Sequence, residues 1–439
     1  MECFRYFLCS PMAPILSTSC SLCYGHTNLL PYPQAECFQT CLTESVGVFI
    51  VTGGNRGVGF QTAKILLQMG HRVYILSRDA CRGTAAVSQL QTVTGSSRCE
   101  AFQVDLSDLQ TVKRFAALCL ERGDAVRGIV NNGGIISNDA MVVNHVGHFA
   151  LTLAIIPLLR KSVVEVGQAV VVNVASCAHM DGSLTIADAL SGLADIQNHG
   201  SRSRDAWTSY TQSKAANALF SLAFSNVLRS SGIQSFSYHP GVMLTDLWTA
   251  DRAGSGSNGG QEALMKDLFQ ACLCPCVKHP MIAAVGAVSL VSPRWCYRYF
   301  CIAEQRYPQP RVGHEATAEL RERDPYLCGA TSLCSEMRTL QRCLCTGDSG
   351  GYYQQCCCLC TVPVRMSPLL YSVPLQEELW RKSMDYITRE SPDMYELVRE
   401  YDYRAERDFR QGCSLISPAW PCTECFAIAP YCVCMACLC

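Results

Sequence analysis

The stretch VTGGNRGVGF, residues 51–60, sets four glycines between a run of β-formers and an amphipathic segment, FQTAKILLQMG. Positions without a Cβ let the backbone turn sharply and approach a phosphate, and the first turn of a following helix offers unpaired N–H groups at the positive end of its dipole. A second strand-like run, RVYIL, completes one βαβ unit. The context therefore predicts a dinucleotide site on Gly53, Asn55, Arg56, Gly57, Val58 and Gly59. The spacing is Gly-x-x-x-Gly-x-Gly rather than Gly-x-Gly-x-x-Gly, and an ordinary glycine-rich turn is the competing reading of the loop taken alone.

Where the second strand ends, LSRD puts Arg78 within reach of a ribose 2′ group, and Arg56 lies inside the glycine loop. Two guanidiniums there favour a 2′-phosphate, hence NADP over NAD. Asp79 is the opposing feature, because a carboxylate accepts from a free 2′-hydroxyl.

From Gly47 onward the runs VFIV, RVYIL, AFQVDL, RGIVNN, AVVVNVAS and IQSFSYHPG alternate with helical segments. That alternation predicts an α/β fold with a doubly wound parallel sheet of Rossmann type, its Val- and Ile-rich strands buried on both faces. After Gly241, TADRAGSGSNGG lacks periodicity and is expected to hinge a lid. The run MIAAVGAVSLV has the length of a buried helix, and no segment is expected to span a membrane.

A formal net charge of -1 over 439 residues gives no basic field to hold nucleic acid. The 30 cysteines crowd the ends and one late segment, leaving only Cys81, Cys99, Cys119 and Cys177 between Gly47 and Gly241. A reduced, intracellular domain shows that distribution. Glu2, Arg5 and prolines interrupt the apolar amino-terminal segment, which makes a poor secretory signal and leaves peripheral membrane contact open. The pairs CSLC, CTEC and CMAC have zinc-ligand spacing but not a zinc ribbon's turn-rich setting, so no metal is expected; an acylated or unstructured tail is the alternative.

Chemistry is carried by SYTQSKAAN, which puts Tyr210 and Lys214 one helical turn apart on one face. A phenol titrates near pH ~10. An adjacent ammonium and an oxidised nicotinamide are expected to draw it toward neutrality, so that it exchanges a proton with a carbinol or carbonyl. Ser176 follows the strand VVVNVAS at the sheet edge where doubly wound folds bind ligands, and its hydroxyl could hold a substrate oxygen. Asn144 opens a helix and also reads as a cap, while His145, His148 and His179 read as packing or rim residues.

The ordered set TGGNRGVG, VDLSD, VNNGG, NHVGHF, VNVAS, YTQSKAAN and HPGVMLTDL resembles the short-chain dehydrogenase/reductase family, and most of all its retinol dehydrogenase-like and WW-domain oxidoreductase-like branch. The resemblance implies an NADP-dependent oxidoreductase interconverting an alcohol and a carbonyl on a lipophilic substrate such as a retinoid or steroid. It makes Tyr210 the acid/base and Lys214 the partner that binds the nicotinamide ribose and lowers the Tyr210 pKa. Ser176 would orient the carbonyl, and Asn144 would support a relay water. Asp105, with Leu106 beside it, would face the adenine and Asn131 the adenosine ribose. Pro240, Gly241, Val242 and Thr245 would cover the nicotinamide. A homodimer through the Tyr210 helix and its predecessor is also implied, as is a cytoplasmic or endoplasmic-reticulum membrane location.

The resembling domain would run from 46 to 386 with 294–349 inserted, between an extension of residues 1–45 and a cysteine-rich tail of 387–439. Relative to the family, the interval from Asn131 to Asn144 is short and that from Ser176 to Tyr210 is long. Two other readings therefore stay open: a catalytically impaired NADP-binding interaction or sensing module, and a protochlorophyllide reductase-like enzyme.

Overall fold

The structure, a computed structural model, describes residues 46–193, 206–241, 280–291, 352–355, 361–363 and 366–402. Its sheet begins with β1 (Val48–Thr52), β2 (Arg72–Ser77), β3 (Cys99–Gln103) and β4 (Val126–Asn131), joined by helices α1 (Gly57–Gln68), α2 (Ala80–Thr94) and α3 (Leu109–Arg122). A π-helical turn, Met141–Val146, then runs into α4 (Gly147–Ala154), α5 (Ile156–Val166) and β5 (Ala169–Val174). Helices α6 (His179–Leu193) and α7 (Ala206–Val227) precede β6 (Ile233–His239), and α8 (Pro280–Val291) precedes β7 (Tyr352–Gln355) and β8 (Thr361–Pro363). The fold closes with α9 (Val373–Glu390) and α10 (Pro392–Val398).

The eight strands lie in the order β3-β2-β1-β4-β5-β6-β7-β8. Seven run parallel, as the alternation of strands and helices predicts, and β8 pairs antiparallel with β7 at the edge. Successive side chains of β1 enter opposite cores: Val48 and Ile50 pack with α3, α4, α5, α7 and α9, whereas Phe49 and Val51 pack with α1, α2 and α8. Both faces are thus covered, which is why the strands read as unbroken apolar runs. Removing the wholly buried Phe49 ring would cost about 3–5 kcal/mol.

Two expectations are corrected by packing. The domain does not stop at 386: Ile387, Met394, Val398 and Tyr401 are buried in the main core, and Trp380 Nε1 donates to the Tyr401 carbonyl at 2.9 Å. Nor does the Tyr210 helix offer a face for a second copy, since every residue from Ser209 to Asn226 is buried within the chain. Helix α6, which fills much of the long interval after Ser176, covers it so closely that a Cβ on Gly182 would strike the Thr211 carbonyl. The amino-terminal extension, the lid, the 294–349 segment, the zinc-like cysteine pairs, Val242 and Thr245 lie outside the described residues.

Candidate active site

Because β1 to β6 are parallel, their carboxyl ends share one sheet edge, and Gly53, Arg78, Asp105, Asn132, Ser176 and Pro240 each follow one of them. Chain order reverses between β1 and β4. Their loops therefore flank the crevice in which such sheets bind ligands.

That crevice is built as a cradle. Gly53 has φ +61°, and a Cβ there would sit 2.9 Å from Gly133 Cα. A Cβ on Gly59 would strike the Gly53 carbonyl, so the loop folds under the start of α1 only without side chains. Helix α1 has no acidic residue in its first turn and no side-chain cap, leaving its first N–H groups and dipole for an anion. Thr52 Oγ1 accepts from the Asn132 and Gly133 amides at 2.9 and 2.8 Å, and Asn132 Nδ2 donates to the Thr52 carbonyl at 2.9 Å. Asn55 and Arg56 are half-buried beside this turn and Val58 is buried.

At the end of β2, Arg78 is exposed and Asp79 is committed elsewhere. The Asp79 carboxylate caps α2 by accepting from the Arg82 amide at 3.0 Å, and it also pairs with the Arg82 guanidinium at 3.4 Å. Arg82 thereby joins Arg78 at this corner, a residue the sequence reading passed over although it stands four positions later. Asp105 accepts from the amide and hydroxyl of Ser107 at 2.9 and 2.6 Å, and Leu106 is buried beneath it.

Asn131 does not face the edge. Strand alternation turns its side chain into the core, where Nδ2 donates to Thr152 Oγ1 at 3.0 Å and to Asn173 Oδ1 at 2.8 Å. Asn132 is the asparagine that reaches the cradle. Asn144 is not a cap either, since it sits within the π-helical turn, wholly buried. Its Oδ1 accepts from the Ile135 amide at 2.8 Å, while Nδ2 donates to the Ile135 carbonyl and to Ser213 Oγ at 3.0 and 2.9 Å. Despite the short interval, a Cβ at Gly134 would lie 3.4 Å from Asn144 Oδ1 and 3.6 Å from Lys214 Nζ, so the two groups flank one point.

Tyr210 and Ser176 come together, their hydroxyls hydrogen-bonded, inside an apolar wall of Ile136, Ala140 and Ala178. Burial pushes the phenol upward, the Ser176 hydrogen bond opposes that, and the nearby Cys177 adds to the rise. Lys214 lies close by on the same helix. Its Nζ donates to the Val174 carbonyl at 2.9 Å and lies 5.5 Å from the Tyr210 ring centroid. Burial pulls Lys214 itself down to about 8. Trp207, partly exposed, tilts against Tyr210 with ring centroids 5.5 Å apart. Pro240 and Gly241 close the edge after β6, Gly241 at φ +86°.

The histidines divide. His145 meets Ser383 Oγ at 2.9 Å and is a packing residue, and His179 joins the Ser176 carbonyl at 2.7 Å. His148 is more than packing, since it contacts Thr52 Oγ1 and the Asn144 carbonyl, each at 2.8 Å. Among the described residues no group of His, Cys, Asp and Glu could hold a metal, and no single helix is long and apolar enough to cross a membrane.

Residues 47–187 match the family model described as short chain dehydrogenase. The chain is 32% identical over 210 residues to retinol dehydrogenase 12 of Mus musculus, covering 46% of this chain and 62% of that protein. It is 34% identical over 213 residues to polyprenol dehydrogenase of Mus musculus, covering 46% and 61%. These matches thus span less than two thirds of those relatives' length. Retinol dehydrogenase 13 of Homo sapiens matches at 31% over 283 residues, covering 61% of this chain and 80% of that protein.

Proposed function

The chain belongs to the short-chain dehydrogenase family, and from that premise we propose that it is an NADP-dependent oxidoreductase interconverting an alcohol and a carbonyl on a lipophilic substrate, a retinoid, a steroid or a similar molecule. One observation carries the proposal: Tyr210, hydrogen-bonded to Ser176 and one turn from Lys214, stands at the same sheet edge as a glycine turn that folds under α1 only because Gly59 has no Cβ.

The residues present fit a nicotinamide nucleotide. Gly53, Gly57 and Gly59 with the start of α1 would take the pyrophosphate, Lys214 the nicotinamide ribose, and Arg56, Arg78 and Arg82 the 2′-phosphate corner. With Asp79 bound up in the cap of α2, the main argument for NAD weakens. A bound nicotinamide supplies the hydride donor or acceptor. Ser176 Oγ holds the substrate oxygen, and Tyr210 Oη gives it a proton in reduction or takes one in oxidation. The ammonium of Lys214 stabilises the phenolate that remains after reduction.

Lipophilic substrates are supported by the apolar wall of Ile136, Ala140 and Ala178 and by the partly exposed Trp207 ring, and retinol and polyprenol dehydrogenases are similar to this chain. Free Cys81, Cys99, Cys119 and Cys177 suit a reducing intracellular compartment, and peripheral membrane contact remains part of the proposal. Asn144 seated beside Lys214 favours an active enzyme over an impaired binding module. The test is NADPH oxidation against all-trans-retinal, steroid ketones and simple aldehydes, with NADH as control. Turnover should appear with NADPH and fall about 10²–10⁴-fold in Tyr210→Phe. Equal turnover by that variant would refute the assignment.

A further inference from the structure

His148 is wholly buried, and both of its ring nitrogens are engaged by groups from different parts of the site. Nδ1 faces the Asn144 carbonyl, which can only accept, so Nδ1 carries the proton. Burial, with the Lys214 charge nearby, pulls the imidazole down to about 4, and at neutral pH Nε2 is therefore unprotonated. Thr52 must then donate its hydroxyl proton to Nε2 at 2.8 Å rather than to the Val130 carbonyl at 3.4 Å. That fixes the direction of Thr52 Oγ1, leaving its lone pairs for the Asn132 and Gly133 amides of the cradle. On its other side Asn144 holds Ile135 and Ser213, and Ser213 Oγ in turn donates to the Tyr210 carbonyl at 2.7 Å. The links therefore run without a gap from the floor of the glycine cradle to the helix bearing Tyr210.

We propose that His148 is a positioning residue that sets the nucleotide cradle and the Tyr210 helix in one register, acting through Thr52 on one side and Asn144 on the other. The proposal rests on the oxidoreductase reading of the site. It adds a role for a histidine that touches neither reacting group, and it gives the π-helical turn a purpose, since that turn carries the Asn144 carbonyl to His148.

Two variants separate the two links. His148→Asn keeps a short amide donor for the Asn144 carbonyl and deprives Thr52 of its partner, whereas His148→Gln offers Thr52 an amide oxygen and gives up Asn144. Amide exchange of the ligand-free protein reads the coupling, and NADPH-dependent turnover of the wild type reads the oxidoreductase assignment, so either can fail without the other. In His148→Asn, exchange at Asn132 and Gly133 should quicken about tenfold, the weight of one buried hydrogen bond, and NADPH affinity should fall by a like factor. His148→Gln should keep both near wild type and lower kcat with KM unchanged. Thr52→Ser, which retains the hydroxyl, should keep exchange at Asn132 and Gly133 slow, and Thr52→Val should quicken it as His148→Asn does. Unchanged exchange at Asn132 and Gly133 in His148→Asn, or an equal rise at all amides of the sheet, would overturn the proposal.

Discussion

Lys214 Nζ donates to the Val174 carbonyl at 2.9 Å, tying the ammonium of the Tyr210 helix to the strand that delivers Ser176. The same burial that fixes this geometry pulls the Lys214 pKa down to about 8, from 10.5. Between those values the unfolded chain binds more protons than the folded one, so this group makes stability rise with pH across the window, with its full penalty present below pH 8. The penalty is on the order of 3 kcal/mol. Urea denaturation should accordingly show Lys214→Met more stable than wild type at pH 7, with the gap closing by pH 10.5. A gap that does not change with pH would mean that folding leaves the Lys214 pKa unshifted.

Asp79 and Arg78 are neighbours with separate expected effects. Asp79→Ala removes the cap of α2 and should cost about 1 kcal/mol of stability without improving or impairing NADH binding. Arg78→Ala should leave stability unchanged and weaken NADPH about tenfold, the size of one charge-assisted contact, with NADH unaffected. Titration of both nucleotides by fluorescence distinguishes the cases. A strong loss of NADH affinity in Asp79→Ala would restore the carboxylate as a ribose ligand.

Much of this was legible because period and punctuation agree. VFIV followed by a glycine loop and FQTAKILLQMG could only be strand, turn and helix, and Tyr210, Lys214 and Ser176 did converge. What could not be read depends on direction. Strand alternation put Asn131 inward and left Asn132 for the cradle, a choice that neighbouring asparagines do not disclose. Asp79 went to a cap because α2 starts at the next residue, Ala80. Helix α6 has core residues at 179, 182, 183, 186, 189, 190 and 193, a clear helical stripe, yet Gly182 and polar neighbours hid it. The contact of His148 with Thr52 crosses 96 positions, beyond any local pattern.

Asn144 holds both backbone groups of Ile135, so Asn144→Ala should free the segment entering the π-helical turn and leave buried polar groups unpaired. We expect a loss of about 2–4 kcal/mol in stability, from two or more such groups, and a fall in kcat larger than any rise in the Kd for NADPH. Chemical denaturation and single-turnover kinetics measure the two effects. If kcat is retained, the segment is held by other contacts and Asn144 is only structural.

Gly59 tests the cradle most directly. A Cβ there would collide with the Gly53 carbonyl and lie 2.6 Å from Asn132 Nδ2, and since the carbonyl belongs to the backbone the loop itself would have to move. Overpacking of this kind costs about 1–3 kcal/mol. Gly59→Ala should therefore melt several degrees lower, at about 2–4 °C per kcal/mol for a domain of this size. Its more telling effect should be on binding, because displacing the loop takes the first N–H groups of α1 away from the pyrophosphate. NADPH and NADH should be lost together, unlike the NADPH-specific loss expected of Arg78→Ala. Equilibrium titration of both nucleotides against the folded variant decides the matter, and wild-type affinity for either would mean that the nucleotide does not lie over this turn.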